Sequence, residues 1–288
     1  MMLSSISLTF ENFAVAVPGA ANFLSNYYVP FVPLPGGYNV TLDTEDEVRL
    51  SGEVADYISS ILGSTYTLFD LRNSSCTVSS SLSVIEDLSN YDTGVIYSKG
   101  HRHAINCATC GNQQTGLIMY DDTLWDYAIY PKTSSSKIVH AFLWHCETAI
   151  KPGSSTCVGG CAGLPGAVMH DPNIIKWSSY GDKVYLGWTN AVPGYPYPLP
   201  GGSPQYTWEV YPYNYFIYSY AHIASSYYYY VGLAVSCHGY PTTDALISLS
   251  YDIYGTSFEN SPLGKRDYPS DPSWLEVYGN MYLGLPSI

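Results

Sequence analysis

The segment Ile138-Val-His-Ala-Phe-Leu-Trp144 is the most apolar strand-like stretch of the chain, and it ends abruptly at His145-Cys146. A short run with apolar residues at both odd and even positions suits a strand covered on both faces, as in a parallel sheet held between helical layers. Gly94-Val-Ile-Tyr-Ser98 has the same buried character and ends at Gly100-His101. Any fold for this chain has to place these two segments inside and their ends at a rim.

Helical and strand-like periodicities alternate around them. Positions 47–62 carry Leu50, Val54, Ile58, Ile61 and Leu62 at three- and four-residue steps, with Gly63 as a stop. Positions 66–71 alternate as a strand, and 79–88 form a short helix through Leu82, Ile85 and Leu88. Positions 115–120 and 125–130 read as a strand pair, and 183–188 as one more strand. A Pro/Gly-rich loop occupies 192–204, and 213–237 reads as a helix stopped by Gly239. Thr242 or Thr243 is expected to cap a further helix that runs to Gly255. This order predicts an α/β fold, a three-layer α/β/α sandwich with a mostly parallel sheet. Residues 1–47 read as an N-terminal extension with short strand-like pieces and a Pro-rich stretch, and 48–288 as the α/β domain.

Composition narrows the surroundings. Charged residues are 12% of the 288 positions, about half the ~25% usual for soluble domains, whereas Tyr supplies 30. The formal charge of -13, with no run of Lys or Arg, excludes a surface that neutralises nucleic-acid phosphates and a basic membrane-surface helix. The uncharged stretch 210–243 is dominated by Tyr, which belongs at membrane interfaces rather than mid-bilayer, so no membrane span is expected. Sparse charge, seven cysteines and the triplets Asn39-Val-Thr41 and Asn73-Ser-Ser75 together favour an extracellular or cell-surface glycoprotein. The scarcity of carboxylates also suits hot or acidic surroundings. No secretory n-region is readable, because the first basic residue is Arg49.

In open parallel sheets ligands gather beyond the carboxyl ends of strands. Two of the best strands end there in reactive residues, His101 and Cys146. A cysteine nucleophile needs a thiolate, a positioned histidine and donors for an oxyanion. If the two strands are neighbours, both side chains reach one crevice, with backbone N–H groups of Cys146 and of the residue after His101 facing a substrate carbonyl. The cysteine count points the same way. Cys107 with Cys110 and Cys157 with Cys161 could close local bridges, and Cys76 with Cys237 a third, which leaves Cys146 as a thiol. Six cysteines allow 15 connectivities, so other pairings stay open. A rival reading of His101, His103, Cys107 and Cys110 is a tetrahedral zinc site. An oxidising compartment would instead join that Cys-x-x-Cys pair.

At this point the chain resembles the cysteine peptidases of the caspase, legumain and gingipain type. That family places His at the end of one strand and Cys at the end of the next, in that order. Val95-Ile-Tyr-Ser-Lys-Gly-His101 and Ala141-Phe-Leu-Trp-His-Cys-Glu-Thr-Ala149 match the layout, and Cys146-Glu147-Thr148-Ala149 is similar to the Cys-Glu-Ser-Gly of legumains. Tyr185-Leu-Gly-Trp188 and Thr243-Asp-Ala-Leu246 resemble later gingipain blocks, so the likeness spans about 48–260. It implies a caspase-like fold and a secreted endopeptidase with Cys146 and His101 as a catalytic dyad, a protein or peptide substrate, and no cofactor or metal. The family carries Gly after the His, whereas Arg102 stands here and borders the oxyanion position. His103 is a second candidate for the dyad. Arg102 and Trp188 are the candidate substrate-binding residues, Trp188 as the wall of a pocket. The other reading is a non-catalytic surface or structural protein on the same fold, self-associating through Tyr-rich faces.

Overall fold

The computed structural model describes residues 17–27, 32–34, 38–40, 43, 45–63, 65–133, 137–150, 162–189, 223–232, 240–261, 263 and 275–286. Its centre is a six-stranded sheet in the order β4-β1-β5-β9-β10-β11. The strands are β1 (Pro18–Leu24), β4 (Thr67–Arg72), β5 (Thr93–Lys99), β9 (Ile138–Trp144), β10 (Val184–Trp188) and β11 (Leu275–Gly279). All neighbouring pairs are parallel except β10 with β11. The molecule is therefore α/β with a mostly parallel sheet between helical layers.

The layers follow from helical periodicity. Helix α1 (Glu45–Leu62) buries Val54, Ala55, Ile58 and Leu62 on one face of the sheet. A helix at 223–232 (α5) and α6 (Thr242–Tyr254) join it there, with Tyr227, Tyr228 and Leu246. The opposite face is covered by α2 (Val78–Asp87), α3 (Asp126–Thr133) and α4 (Gly163–Val168), through Ile85, Ile129 and Leu164. Helix α2 starts in a reciprocal cap: Thr77 Oγ1 accepts from the Ser80 amide at 3.1 Å, and Ser80 Oγ accepts from the Thr77 amide at 3.0 Å. At its far end α6 closes on Gly255, whose φ of 64° suits glycine and whose amide returns to the Tyr251 carbonyl at 2.9 Å.

Two smaller sheets complete the described residues. One is the hairpin β2 (Val32–Leu34) with β3 (Tyr38–Val40), and the other is the meander β6 (His101–Asn106), β7 (Gln113–Ile118) and β8 (Thr123–Trp125). Of the strands read from sequence, those at 66–71, 94–98, 138–144 and 183–188 coincide with β4, β5, β9 and β10 to within a residue or two. Four features differ. Within the stretch read as an extension, Pro18–Leu24 is the central strand β1, paired on both edges. Positions 126–133 are a helix rather than the second strand of a pair. Asp126 opens it by accepting the Tyr127 amide at 2.9 Å and the Gly163 amide at 3.1 Å, and Ile129 and Thr133 bury at a four-residue step. At α6 the N-cap is Pro241, and the two threonine hydroxyls instead donate to the C-terminal segment, Thr242 to Leu283 O at 2.7 Å and Thr243 to Met281 O at 3.2 Å. Strands β6 and β11 and helix α4 had no reading in the sequence. The loop read at 192–204 and the ends of the helix read at 213–237 lie outside the described residues. Among those residues, no helix is long and apolar enough to cross a membrane.

Candidate functional site

The chain runs β1–α1–β4 to one side of β1 and then, through α2 on the other face, to β5 on its other side. The strand order therefore reverses between β1 and β5, and crevices for ligands form at such points beyond the carboxyl ends. Register across the three central strands is continuous there: Leu24 pairs with Lys99, and Lys99 with Trp144. One step further on, the Ser25 amide donates to the Lys99 carbonyl at 3.0 Å and the Gly100 amide to the Trp144 carbonyl at 3.4 Å. Asn26, His101 and Cys146 are each two residues beyond that last paired row. Adjacent strands are about 4.8 Å apart, so the His and Cys predicted from sequence emerge from neighbouring strands at one rim.

His101 is held from two directions. Its Nε2 lies 2.8 Å from Asp43 Oδ1, and its carbonyl accepts from His145 Nδ1 at 2.8 Å. The Asp43 side chain is 1% exposed and that of His101 36%, so the pair has a buried anchor and an open partner. Burial pushes the Asp43 carboxyl up. The hydrogen bond and charge of His101, the Lys99 charge and the Asn26 amide outweigh that and hold it well below the usual carboxylate range. Asn26 Nδ2 donates to the second oxygen, Oδ2, at 2.6 Å. Beside it Lys99 and Glu47 form a buried ion pair at 2.9 Å.

His145 fixes the turn behind the site. Burial pushes its imidazole down to about 3, so it is neutral. With Nδ1–H given to His101 O, Nε2 accepts from the Ser98 hydroxyl at 2.8 Å. Gly100 is required between them: a Cβ there would stand 2.0 Å from Ser25 Oγ and 2.9 Å from His145 Cε1. The chain can thus leave β5 and enter β6 without displacing the ring that holds it.

Cys146 opens a turn over 146–149 and is half-buried against the aromatic core. The turn is pinned by three strands. Thr148 Oγ1 donates to the carbonyls of Leu143 and His145, Ala149 N donates to Trp188 O at 2.9 Å, and the hydroxyls of Tyr185 and Tyr278 donate to Thr148 O and Ala149 O, both at 2.7 Å. Glu147, next to the thiol, has φ of 50°, a left-handed backbone that a long side chain rarely takes and that clusters at functional sites. Its carboxylate pairs with the Arg102 guanidinium, so the residues after His and after Cys bridge the two strand ends.

The other residues singled out by sequence fall as follows. Arg102 lies at this rim in β6, opposite Leu117, with its side chain 12% exposed. Trp188 ends β10 as expected, but its side chain is completely buried, edge-on to Trp144 at 4.9 Å. It is core beneath the strand ends, because an indole inside a tight aromatic layer has no surface left for a ligand. His103 is turned to the meander, with Nδ1 3.2 Å from Thr123 Oγ1 and its ring 4.9 Å from Trp125. The zinc grouping is pulled apart: His101 starts β6 and Cys107 follows its far end, a separation of about 20 Å at ~3.3 Å per residue. Among the described residues no group of three or more His, Cys, Asp or Glu is placed to hold a metal. Cys76 is a buried thiol whose ionisation burial pushes up to about 12, which makes it inert beside the half-exposed Cys146. Cys107 and Cys110 are thiols rather than the local bridge read from the sequence, and Cys157, Cys161 and Cys237 lie outside the described residues. Asn73, of the second glycosylation-type triplet, is exposed at the end of β4.

Sequence reasoning missed Asp43, Asn26, Lys99, Glu47, Ser98 and His145. Asp43, Asn26 and Glu47 sit in the stretch read as an extension. The readable signal was Lys99: a cation on an otherwise apolar strand needs a buried counter-charge.

No family model matches the chain, and no curated protein does. Among solved structures it is similar to a Geobacter sulfurreducens protein, at 15% identity over 45% of this chain and with a TM-score of 0.35. The chain spans about half the length of that structure.

Proposed function

We propose that the protein is a caspase-like cysteine endopeptidase, secreted or cell-surface, with Cys146 as nucleophile and His101 as its proton-transfer partner. The observation that carries this reading is the register: His101 and Cys146 each stand two residues beyond the paired row Lys99–Trp144, on adjacent parallel strands. His first and Cys second, on neighbouring strand ends, is also the layout that the caspase–legumain–gingipain resemblance implies. In the reaction, the Cys146 proton passes to the His101 imidazole and the thiolate sulfur attacks the scissile carbonyl carbon. The imidazolium then gives its proton to the leaving nitrogen as the C–N bond breaks, which leaves a thioester. Water attacks the thioester, its proton goes to His101, and the carboxylic acid product departs as the thiol is restored. Arg102 borders this crevice as the candidate substrate-binding cation.

The second reading, a non-catalytic surface protein on the same fold, draws on the Arg102–Glu147 ion pair between the two residues and on exposed tyrosines such as Tyr229 and Tyr251. An acyloxymethyl ketone probe followed by peptide mapping separates the two. Labelling at Cys146 that is lost in His101→Ala supports the peptidase, and a folded protein that the probe never labels leaves the surface protein.

A further inference from the structure

The residue that orients His101 lies outside the domain read from sequence. We propose that Asp43 is the positioning residue of this site, fixing the His101 ring with Nε2–H bonded to its carboxylate so that Nδ1 is the atom that exchanges a proton with Cys146. The inference rests on the Cys146–His101 reading and extends it from two residues to three.

Three observations single out Asp43. Its oxygens are divided between two donors, Oδ1 to His101 Nε2 at 2.8 Å and Oδ2 to Asn26 Nδ2 at 2.6 Å, so its plane is set independently of the imidazole. Beside it the buried Lys99 holds Glu47 at 2.9 Å, and the ring that meets the Asp43 carboxylate is that of His101 at 2.8 Å. Third, the His101 carbonyl is tied to His145, so backbone and ring are both held, and the ring's remaining freedom is rotation that the Asp43 bond removes. An acid that orients a base by taking one ring N–H leaves the other nitrogen as the base and stabilises the imidazolium when it forms. The titratable and charged groups around the pair are Lys99, Glu47, His145, Arg102 and Glu147, with Tyr27 beside Asp43. Of these His145 is held neutral, and Tyr27 is held protonated with its ionisation raised to about 12.

The test follows the rate at which the Cys146 thiolate displaces iodide from iodoacetamide, read at the Cys146 peptide by mass spectrometry, from about pH 5 to 9 on the full chain. Wild type is expected to keep reactivity on the acidic side, where a lone thiol loses it. Asp43→Asn is expected to lower that acid-side rate by about tenfold or more while leaving the rate near pH 9 within about twofold, and Asp43→Glu to recover part of it. An equal fall at every pH with a lowered melting temperature would mark Asp43 as structural only and overturn the assignment. So would a wild-type profile in Asp43→Asn when His101→Ala has lost the acidic limb. If His101→Ala itself keeps the wild-type profile, the Cys–His reading fails first. A measurement without substitution decides the case if the variants do not fold: ¹⁵N shifts of the wild-type imidazole should show Nε2 protonated throughout and Nδ1 titrating. A neutral Nδ1–H tautomer refutes the proposal.

Discussion

In the middle of β9, His140 Nε2 meets the Tyr227 hydroxyl at 2.7 Å, that hydroxyl reaches Thr242 Oγ1 at 3.4 Å, and Thr242 donates to Leu283 O at 2.7 Å. At the carboxyl end of the same strand, His145 joins Ser98 to the His101 carbonyl, and His101 continues to Asp43. Both strand histidines are completely buried, and burial pushes both down to about 3. The first chain runs one way, each proton to the next oxygen, and stops on a backbone carbonyl. Its atoms stitch α5, α6 and the C-terminal segment to the sheet. The second ends on the ionisable pair His101–Asp43, of which His101 keeps surface exposed. Burial and hydrogen bonding alone therefore do not mark a site. What separates the two regions is whether the polar network stays inside the core or opens at the rim with charge still to be managed.

That contrast can be broken or sharpened in order of expected effect. Cys146→Ala should abolish probe labelling and any peptide cleavage while changing unfolding free energy by less than ~1 kcal/mol. A loss of ~2–5 kcal/mol, as for truncated core residues, would group Cys146 with the packing around His140. Next in size, Lys99→Met removes the cation from the buried Lys99–Glu47 pair and should cost ~3–5 kcal/mol in urea unfolding. Adding Glu47→Leu should recover most of that loss, and a neutral single variant would mean that the rim does not depend on this pair. Tyr227→Phe cuts the mid-strand chain and should cost ~1–3 kcal/mol with the Cys146 alkylation rate unchanged. A changed rate would show that the two networks are coupled.

The smallest effect is on pH dependence. The unfolded chain takes up protons on its histidines near 6.5, whereas His140 and His145 in the fold stay neutral down to about 3. Stability from these two groups is thus complete above about 6.5 and lost as pH falls toward 3. Asp126, raised by burial to about 7, acts with the opposite sign: its contribution is complete below about 4 and lost as pH rises through 7. Between pH 7.5 and 5.5 each histidine should remove ~1.4 kcal/mol, so His140→Gln should flatten that drop by about this amount. An unchanged drop in urea unfolding would refute the burial argument for His140.

The fold was largely legible where one local pattern dominated. The steps of Leu50, Val54, Ile58 and Leu62 mark α1 because an 18-residue helix must repeat its buried face, and the apolar runs of β5 and β9 are unreadable as anything solvated. Legibility failed where local pattern and tertiary role diverge. Pro18-Gly-Ala-Ala-Asn22 has weak strand propensity, yet it is fully buried as β1 because β4 and β5 supply the ladder on both sides. Trp125 to Tyr130 alternates like a strand, but the Asp126 carboxylate captures two amides and starts a helix instead.

By itself the sequence determined the layered α/β class, the two apolar strands and the fact that His101 and Cys146 stand just beyond their ends, since side-chain period and strand length are local properties. Tertiary structure alone decided that β5 and β9 are neighbours in a register that carries both residues to one rim, that Trp188 is core, and that Asp43 and Asn26 return from the N-terminal segment to hold His101. Those outcomes depend on long-range strand pairing and on where a buried charge finds its counter-charge, and neither quantity is written in any local stretch of the chain.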